Sequence, residues 1–159
     1  MNVGFRVSKG PFVQLCVCVI ALYGLYFSWQ QLTVGNSYYR VKNNLDTWQQ
    51  SPSLANEPSA KSMLEEIDSA IEKFPDNALY YQLRAQTIEW LVYAQPTERR
   101  SVKVNLLNVA YKDYKKSLEL RPTWAGSWVG LATIKWKLDE LDESFYSYLQ
   151  QAEKFGPQD

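Results

Sequence analysis

The chain has no histidine and only two cysteines in 159 residues. Without histidine there is no Ser-His-Asp triad, no imidazole base and no imidazole metal ligand. Two cysteines cannot complete a zinc site without histidine partners. A surplus of charge of one sign is also missing, since 17 Lys+Arg balance 17 Asp+Glu. A protein that lives on nucleic acid carries a basic excess to neutralise phosphates, so no nucleic-acid partner is expected. No stretch keeps a period-two alternation of apolar and polar residues, so strands are not expected. Nothing here assigns a catalytic residue, a metal or a cofactor, and a non-enzymatic protein is expected.

One long uncharged apolar run is present, from Phe12 to Trp29 (FVQLCVCVIALYGLYFSW), and Gln14 is its one strongly polar interruption. As a helix it spans about 27 Å, close to the ~30 Å hydrocarbon core of a bilayer. Tyr23, Tyr26, Phe27 and Trp29 crowd its second half, as in an interfacial aromatic belt. The run is longer than a signal-peptide core and no A-x-A site follows it, so an uncleaved signal anchor is expected. Neither Cys16 nor Cys18 follows a small residue, which speaks against lipid attachment. The two lie about 200° apart on a helix and cannot bridge each other. Arg6 and Lys9 precede the run, whereas Arg40 and Lys42 follow at a greater distance with Asp46 nearby. The positive-inside rule then leaves the N-terminus in the cytoplasm and the remainder outside, in the periplasm of a Gram-negative cell.

The expected organisation is a short cytoplasmic tail (1–10), a transmembrane anchor (11–34), a juxtamembrane helix and linker (35–58) and a helical domain (59–157). All the acidic residues and all but two of the basic ones follow Asn36. In this part apolar residues recur at three and four, the helical period. The stripes are Met63, Ile67, Ala70, Ile71 and Phe74, then Leu83, Ile88, Leu91 and Val92, then Leu107, Ala110, Tyr114 and Leu118. Two more follow, Trp128, Leu131 and Ile134, and Phe145, Tyr148, Leu149 and Ala152. Ser62 with Glu65 reads as a capping box. Pro75-Asp76-Asn77 closes one helix and caps the next, Pro122-Thr123 repeats that pattern, Asp139 and Asp142 can cap the last helix, and Gly156-Pro157 ends it. An all-α chain of antiparallel helix pairs is expected.

The stripes also repeat. Ala110, Tyr114, Ser117 and Pro122 are similar to the second-helix signature of a tetratricopeptide repeat (TPR), and Trp128, Leu131 and Ala132 to the first helix of the next. Leu149, Ala152 and Pro157 resemble the second-helix pattern again, as do Ile67, Ala70 and Pro75 upstream, and Tyr81 and Ala85 match a first helix. The resemblance covers about two-thirds of the chain. It implies a TPR-like domain of about five to six helices after the membrane helix, in which small residues let paired helices approach. One repeat is about 13 residues longer than the family period, with the excess near Gln95–Arg100. Ser117 stands where alanine is usual, and Phe145 stands at a normally small position. The first helix of the earliest repeat carries no signature, and Asn36 to Gln50 can serve.

In TPR proteins the first helices line the concave face. The resemblance therefore implies a binding face of Gln82, Gln86, Glu89 and Trp90 from one repeat and Val129, Thr133, Trp136 and Lys137 from the next. Large aromatics such as Trp90 and Trp136 anchor interfaces and stack on sugar rings; the alternative is that they cover the core between repeats. The acids Asp139, Glu140, Asp142 and Glu143 suit a helix N-terminus better than a cation site. Lys112, Lys115 and Lys116 read as a solvated face, and Arg99-Arg100 has no evident role.

The expected function is that of a membrane-anchored scaffold that binds another protein of an envelope complex and touches lipid through its anchor. A second copy or a partner can complete so short a stack. By layout the chain resembles small anchored TPR-like accessory proteins of bacterial exopolysaccharide synthesis and export. Assembly of another envelope machine (secretion system, pilus, cytochrome maturation) and a mitochondrial outer-membrane receptor are alternatives. A glycosidase would need two carboxylates about 5–10 Å apart across a cleft, and no local motif holds such a pair together.

Overall fold

A computed structural model describes the backbone of residues 9–156 and the side chains of all of these except 9–12 and 30–34. Among the described residues the chain is all-helical: six α-helices, a 3-10 turn at Pro52–Leu54, and no strand. The helices are α1 (Lys9–Gln50), α2 (Glu57–Lys73), α3 (Ala78–Ala94), α4 (Arg100–Leu120), α5 (Ala125–Lys137) and α6 (Glu143–Phe155). The chain divides into two units, Met1–Asn36 and Ser37–Asp159. The expected cytoplasmic tail and Pro157 fall wholly or largely outside the described residues.

In the first unit, every described side chain from Val13 to Trp29 is exposed. Among the described residues no helix is long and apolar enough to cross a membrane. At a rise of 1.5 Å per residue the described apolar side chains cover about 25 Å, a little less than the ~30 Å hydrocarbon core.

The second unit begins earlier than the expected domain start at 59. Val41, Leu45 and Trp48 of α1 are buried at i, i+4 and i+7, so the expected juxtamembrane helix packs into the unit. After the 3-10 turn, Asn56 caps α2 by accepting from the Ser59 backbone N–H (3.0 Å). The expected capping box is therefore corrected: Ser62 and Glu65 lie inside α2. Pro58 in the first turn has no N–H to satisfy, and Asn56 supplies the acceptor that the remaining free donors need. Asn77 caps α3 as expected, by accepting from Leu79 (3.1 Å). At α5 the cap position is Trp124, whose side chain makes no capping bond, so Pro122-Thr123 does not repeat the Asn77 pattern in full.

Successive helices alternate in direction. Ser117 of α4 bonds Ser127 of α5 while Tyr114 meets Gly130, and Trp128 of α5 stacks near Tyr148 of α6 while Lys135 meets Asp142. Helices α1, α3 and α5 are parallel. Trp124 donates to Gln82 across 42 positions, and Tyr38 with Tyr80 and Trp48 with Trp90 have the same offset. A second recurrence lies in the turns: Tyr81 Oη donates to the Pro75 carbonyl (2.9 Å) and Trp128 Nε1 to the Pro122 carbonyl (2.8 Å), each six residues on.

The main core joins Ala85 and Ile88 of α3 to Leu107, Ala110, Tyr114 and Leu118 of α4 and Leu131 and Ile134 of α5. Ala85 and Ala110 are fully buried, so these helices approach closely where a larger side chain would hold them apart. Ile67, Ala70, Ser117 and Ala132 are buried as well, and Tyr81, Trp128 and Ala152 partly so. Pro75 and Pro122 are exposed turn residues. The last stripe behaves differently: α6 buries none of its side chains, and Leu149 keeps 44% of its surface. The packing role expected of Leu149 is thus corrected. Only one side of α6 is covered, because no described helix follows it.

A candidate binding groove on three parallel helices

Two adjoining cavities lie on the inter-helix face of α1, α3 and α5, and a third adjoins them between α3, α4 and the end of α5. The central one, of about 400 Å³, is lined by Leu45, Asp46 and Gln49 of α1, Pro52, then Gln86, Glu89, Trp90 and Tyr93 of α3 and Lys137 of α5. A larger one, of about 660 Å³, shares Glu89, Tyr93 and Lys137 and continues past Val92, Leu107 and Trp136 to the α3–α4 connection. A small one, of about 150 Å³, shares Leu45, Asp46 and Gln86 and reaches Gln82 and Trp124.

Of the eight residues expected on this face, the structure brings six to the cavities: Gln82, Gln86, Glu89, Trp90, Trp136 and Lys137. Val129 and Thr133 line none of these three, and Thr133 Oγ1 is turned back onto the Val129 carbonyl (2.9 Å). Trp90 is groove and packing at once. Its ring lies edge-on to Trp48 of α1 (5.9 Å) and to Tyr93 (5.3 Å), so it holds α1 against α3 and lines the cavity wall. Trp136 is different, with 63% of its surface exposed.

Glu89 forms the floor where two cavities meet. It accepts from Tyr114 Oη (2.6 Å) and from Lys137 Nζ across 48 positions. Burial, reinforced by the Glu89 charge, pushes the Tyr114 hydroxyl well above its ordinary pKa, so it stays a neutral donor. Gln82 is held by the Trp124 indole, which itself stacks under the Arg121 guanidinium (3.9 Å). The walls of the larger cavity carry Glu89, Glu98 and Asp139 against Arg100, Lys103 and Lys137, which balance. Arg99-Arg100 now has a place: Arg100 meets Asp139 across the cavity mouth (3.3 Å), both side chains more than four-fifths exposed, and Arg99 is the N-cap position of α4.

Two charged clusters behind the face were not legible in sequence. Arg84 of α3 makes a two-pronged bond to Asp113 of α4 (2.6 and 2.8 Å) and a third to Asp68 of α2 (2.9 Å), tying three helices. The Asp113 side chain keeps 5% of its surface. Burial raises its carboxyl pKa and Arg84 opposes that rise. Lys135 of α5 is also buried and bonds Glu140 and Asp142 (2.7 Å each). Glu140 and Asp142, each about half-exposed, thus pair with one cation, while Asp142 caps α6 through Phe145 N–H (3.1 Å) and Asp139 sits in the turn at φ 61° rather than at a cap. Among the described residues no group of three His, Cys, Asp or Glu side chains could hold a metal ion. Lys112 and Lys115 are exposed, and Lys116 pairs with Glu119 (3.1 Å), as a solvated face.

No family model matches the chain, and no curated protein shows significant similarity to it.

Proposed function

We propose that the protein is a membrane-anchored, TPR-like scaffold that docks another protein of an envelope assembly on the α1/α3/α5 face. The observation that carries this reading is the groove itself. The central cavity lies between α1, α3 and the end of α5 and holds the rigidly backed pair Trp90 and Glu89, and the adjoining cavity between α3, α4 and α5 carries the exposed Trp136. An aromatic anchor beside a preformed polar floor is the composition of a protein-docking site. The offset and turn recurrences support a TPR-like repeat. A non-catalytic role is supported by the acid pairs: Asp68 with Asp113, and Glu140 with Asp142, are each bridged by a cation and not free for proton transfer.

The anchor is supported by α1. A helix apolar on all sides and exposed from Val13 to Trp29 needs lipid or a partner to cover it. Arg6 and Lys9 ahead of it favour a cytoplasmic N-terminus and a periplasmic domain. The assembly that the layout resembles is one for polysaccharide biosynthesis or export.

The test is a fusion of alkaline phosphatase, which is active only outside the cytoplasm, to the C-terminus of the full chain in a Gram-negative host. Phosphatase activity in a membrane fraction that resists alkaline carbonate is expected. An inactive fusion, or one released by carbonate, contradicts the anchor and the compartment.

A further inference from the structure

The trough between α1 and α3 holds polar groups of two kinds. Its carboxylates are engaged within the chain: Asp46 accepts from Lys42 (2.6 Å), and Glu89 accepts from Tyr114 (2.6 Å) and from Lys137. Its amides are not engaged in this way. Gln86 of α3 lines both the central and the small cavity, and Gln49 of α1 lines the central one, yet among the described residues neither makes a hydrogen bond. Gln82, one turn before Gln86, uses its Oε1 for the Trp124 indole, and its NH2 group is without a partner among the described residues. An amide side chain offers donors and acceptors together and carries no charge. The trough is therefore built to pair with a ligand that presents neutral donors and acceptors, not with a charged side chain or a chain terminus.

The main chain of an extended segment is such a ligand. A helix spends its own N–H and C=O groups internally, whereas an extended chain turns them outward to one edge at every second residue. The spacing agrees. Gln82, Gln86 and Trp90 recur at four residues, or ~6 Å along α3, and the two-residue repeat of an extended chain is ~6.6 Å. From Gln82 to Tyr93 the trough is ~17 Å long, which takes about five extended residues. We propose, resting on the docking reading above, that the occupant is an extended, uncharged internal stretch of the partner, held through its main chain by Gln49, Gln82 and Gln86, with an apolar side chain against Trp90 and Tyr93. Recognition of this kind tolerates changes in the partner's side chains, rejects proline where an N–H is bound, and depends little on salt.

The experiment uses the full chain in detergent and a phage-displayed library of random peptides, with selection on detergent and support alone as the background. An enriched peptide is synthesised, and its Kd is measured by fluorescence anisotropy against the parent chain, Gln49→Leu, Gln86→Leu and, away from the trough, Lys116→Ala. Kd is expected to rise about tenfold for either glutamine variant, with unchanged helical circular dichroism, and to stay the same for Lys116→Ala and from low to high salt. Methylation of the peptide's backbone nitrogens, one at a time, is expected to weaken binding at every second position. The proposal is overturned by a library with no peptide above background, or by glutamine variants that bind as the parent does. It is overturned equally by losses recurring every three or four positions, as a helical ligand gives, or by a Kd that climbs steeply with salt. A protein adduct at Trp136 in cells alongside any of these failures would leave the docking face in place and remove only its extended occupant.

Discussion

Gly130 is the residue at which two helices cannot be moved apart or together. A Cβ added there would clash with the Tyr114 ring, which is buried and fixed at its hydroxyl by Glu89. Alanine would gain roughly 1 kcal/mol of helix propensity over glycine. Overpacking against a pinned ring costs about 1–3 kcal/mol, so the clash wins. Gly130→Ala is expected to lower the urea midpoint, and a raised midpoint would show that the ring has room. Arg84 is a second such residue. Its removal leaves the Asp113 carboxylate buried without its partner, at a cost of about 3–5 kcal/mol near neutral pH. The raised folded-state pKa of Asp113 fixes the sign of the pH effect. Its contribution is present at low pH and is lost as pH rises through the folded value. Arg84→Ala is therefore expected to be less destabilised, relative to the parent, at pH 4 than at pH 7, by parallel chemical denaturation. Neither residue could be picked out of the sequence. Ala85, Ala110 and Tyr114 announce themselves by spacing along one helix, whereas the demands on Gly130 and Asp113 come from a neighbouring helix 16 or 29 positions away.

At the scale of the element, the Asp142 cap adds a pH dependence of the opposite sign. Asp142 accepts from Lys135 Nζ, Ser144 Oγ and the Phe145 N–H, and the Lys135 bond is the chief reason its carboxyl is held well below the usual range. A lowered carboxyl adds stability above its unfolded pKa of about 3.9 and loses it as pH falls through the folded value. Stability is expected to decline on acidification below about pH 4, and Asp142→Ala is expected to flatten that decline. An unchanged slope from pH 2 to 6 would remove Asp142 from the account. The helices themselves were legible, since their apolar stripes follow the 3.6 period and Asn77 and Asp142 stand where caps belong. Two ends were not. Ser62-x-x-Glu65 matches a cap pattern, but Asn56 with Pro58 starts the helix nearly two turns earlier, and a local pattern does not choose between two adequate caps. The α6 stripe predicts burial, and its burial depends on whether another helix follows.

At the scale of the molecule, parallel α1, α3 and α5 turn separate helix faces into one trough. Helix α1 could be read only as a candidate member, because its stretch from Asn36 to Gln50 carries no repeat signature. Its membership rests on Val41, Leu45 and Trp48, whose spacing is helical but whose partners are about 42 positions on. Six of the eight expected face residues line the cavities. Val129 and Thr133 lie beyond the three cavities. The balanced charges along the larger cavity favour a partner segment that is neither strongly acidic nor strongly basic. The most direct measurement is site-specific photo-cross-linking in intact cells, with a photoreactive amino acid replacing Trp136 in the groove or Lys116 on the opposite solvated face, followed by mass spectrometry. A single protein adduct at position 136 that is missing at 116, and lost when Glu89→Lys is introduced alongside, is the predicted result. Equal, sparse labelling at both positions would contradict the groove as the docking face.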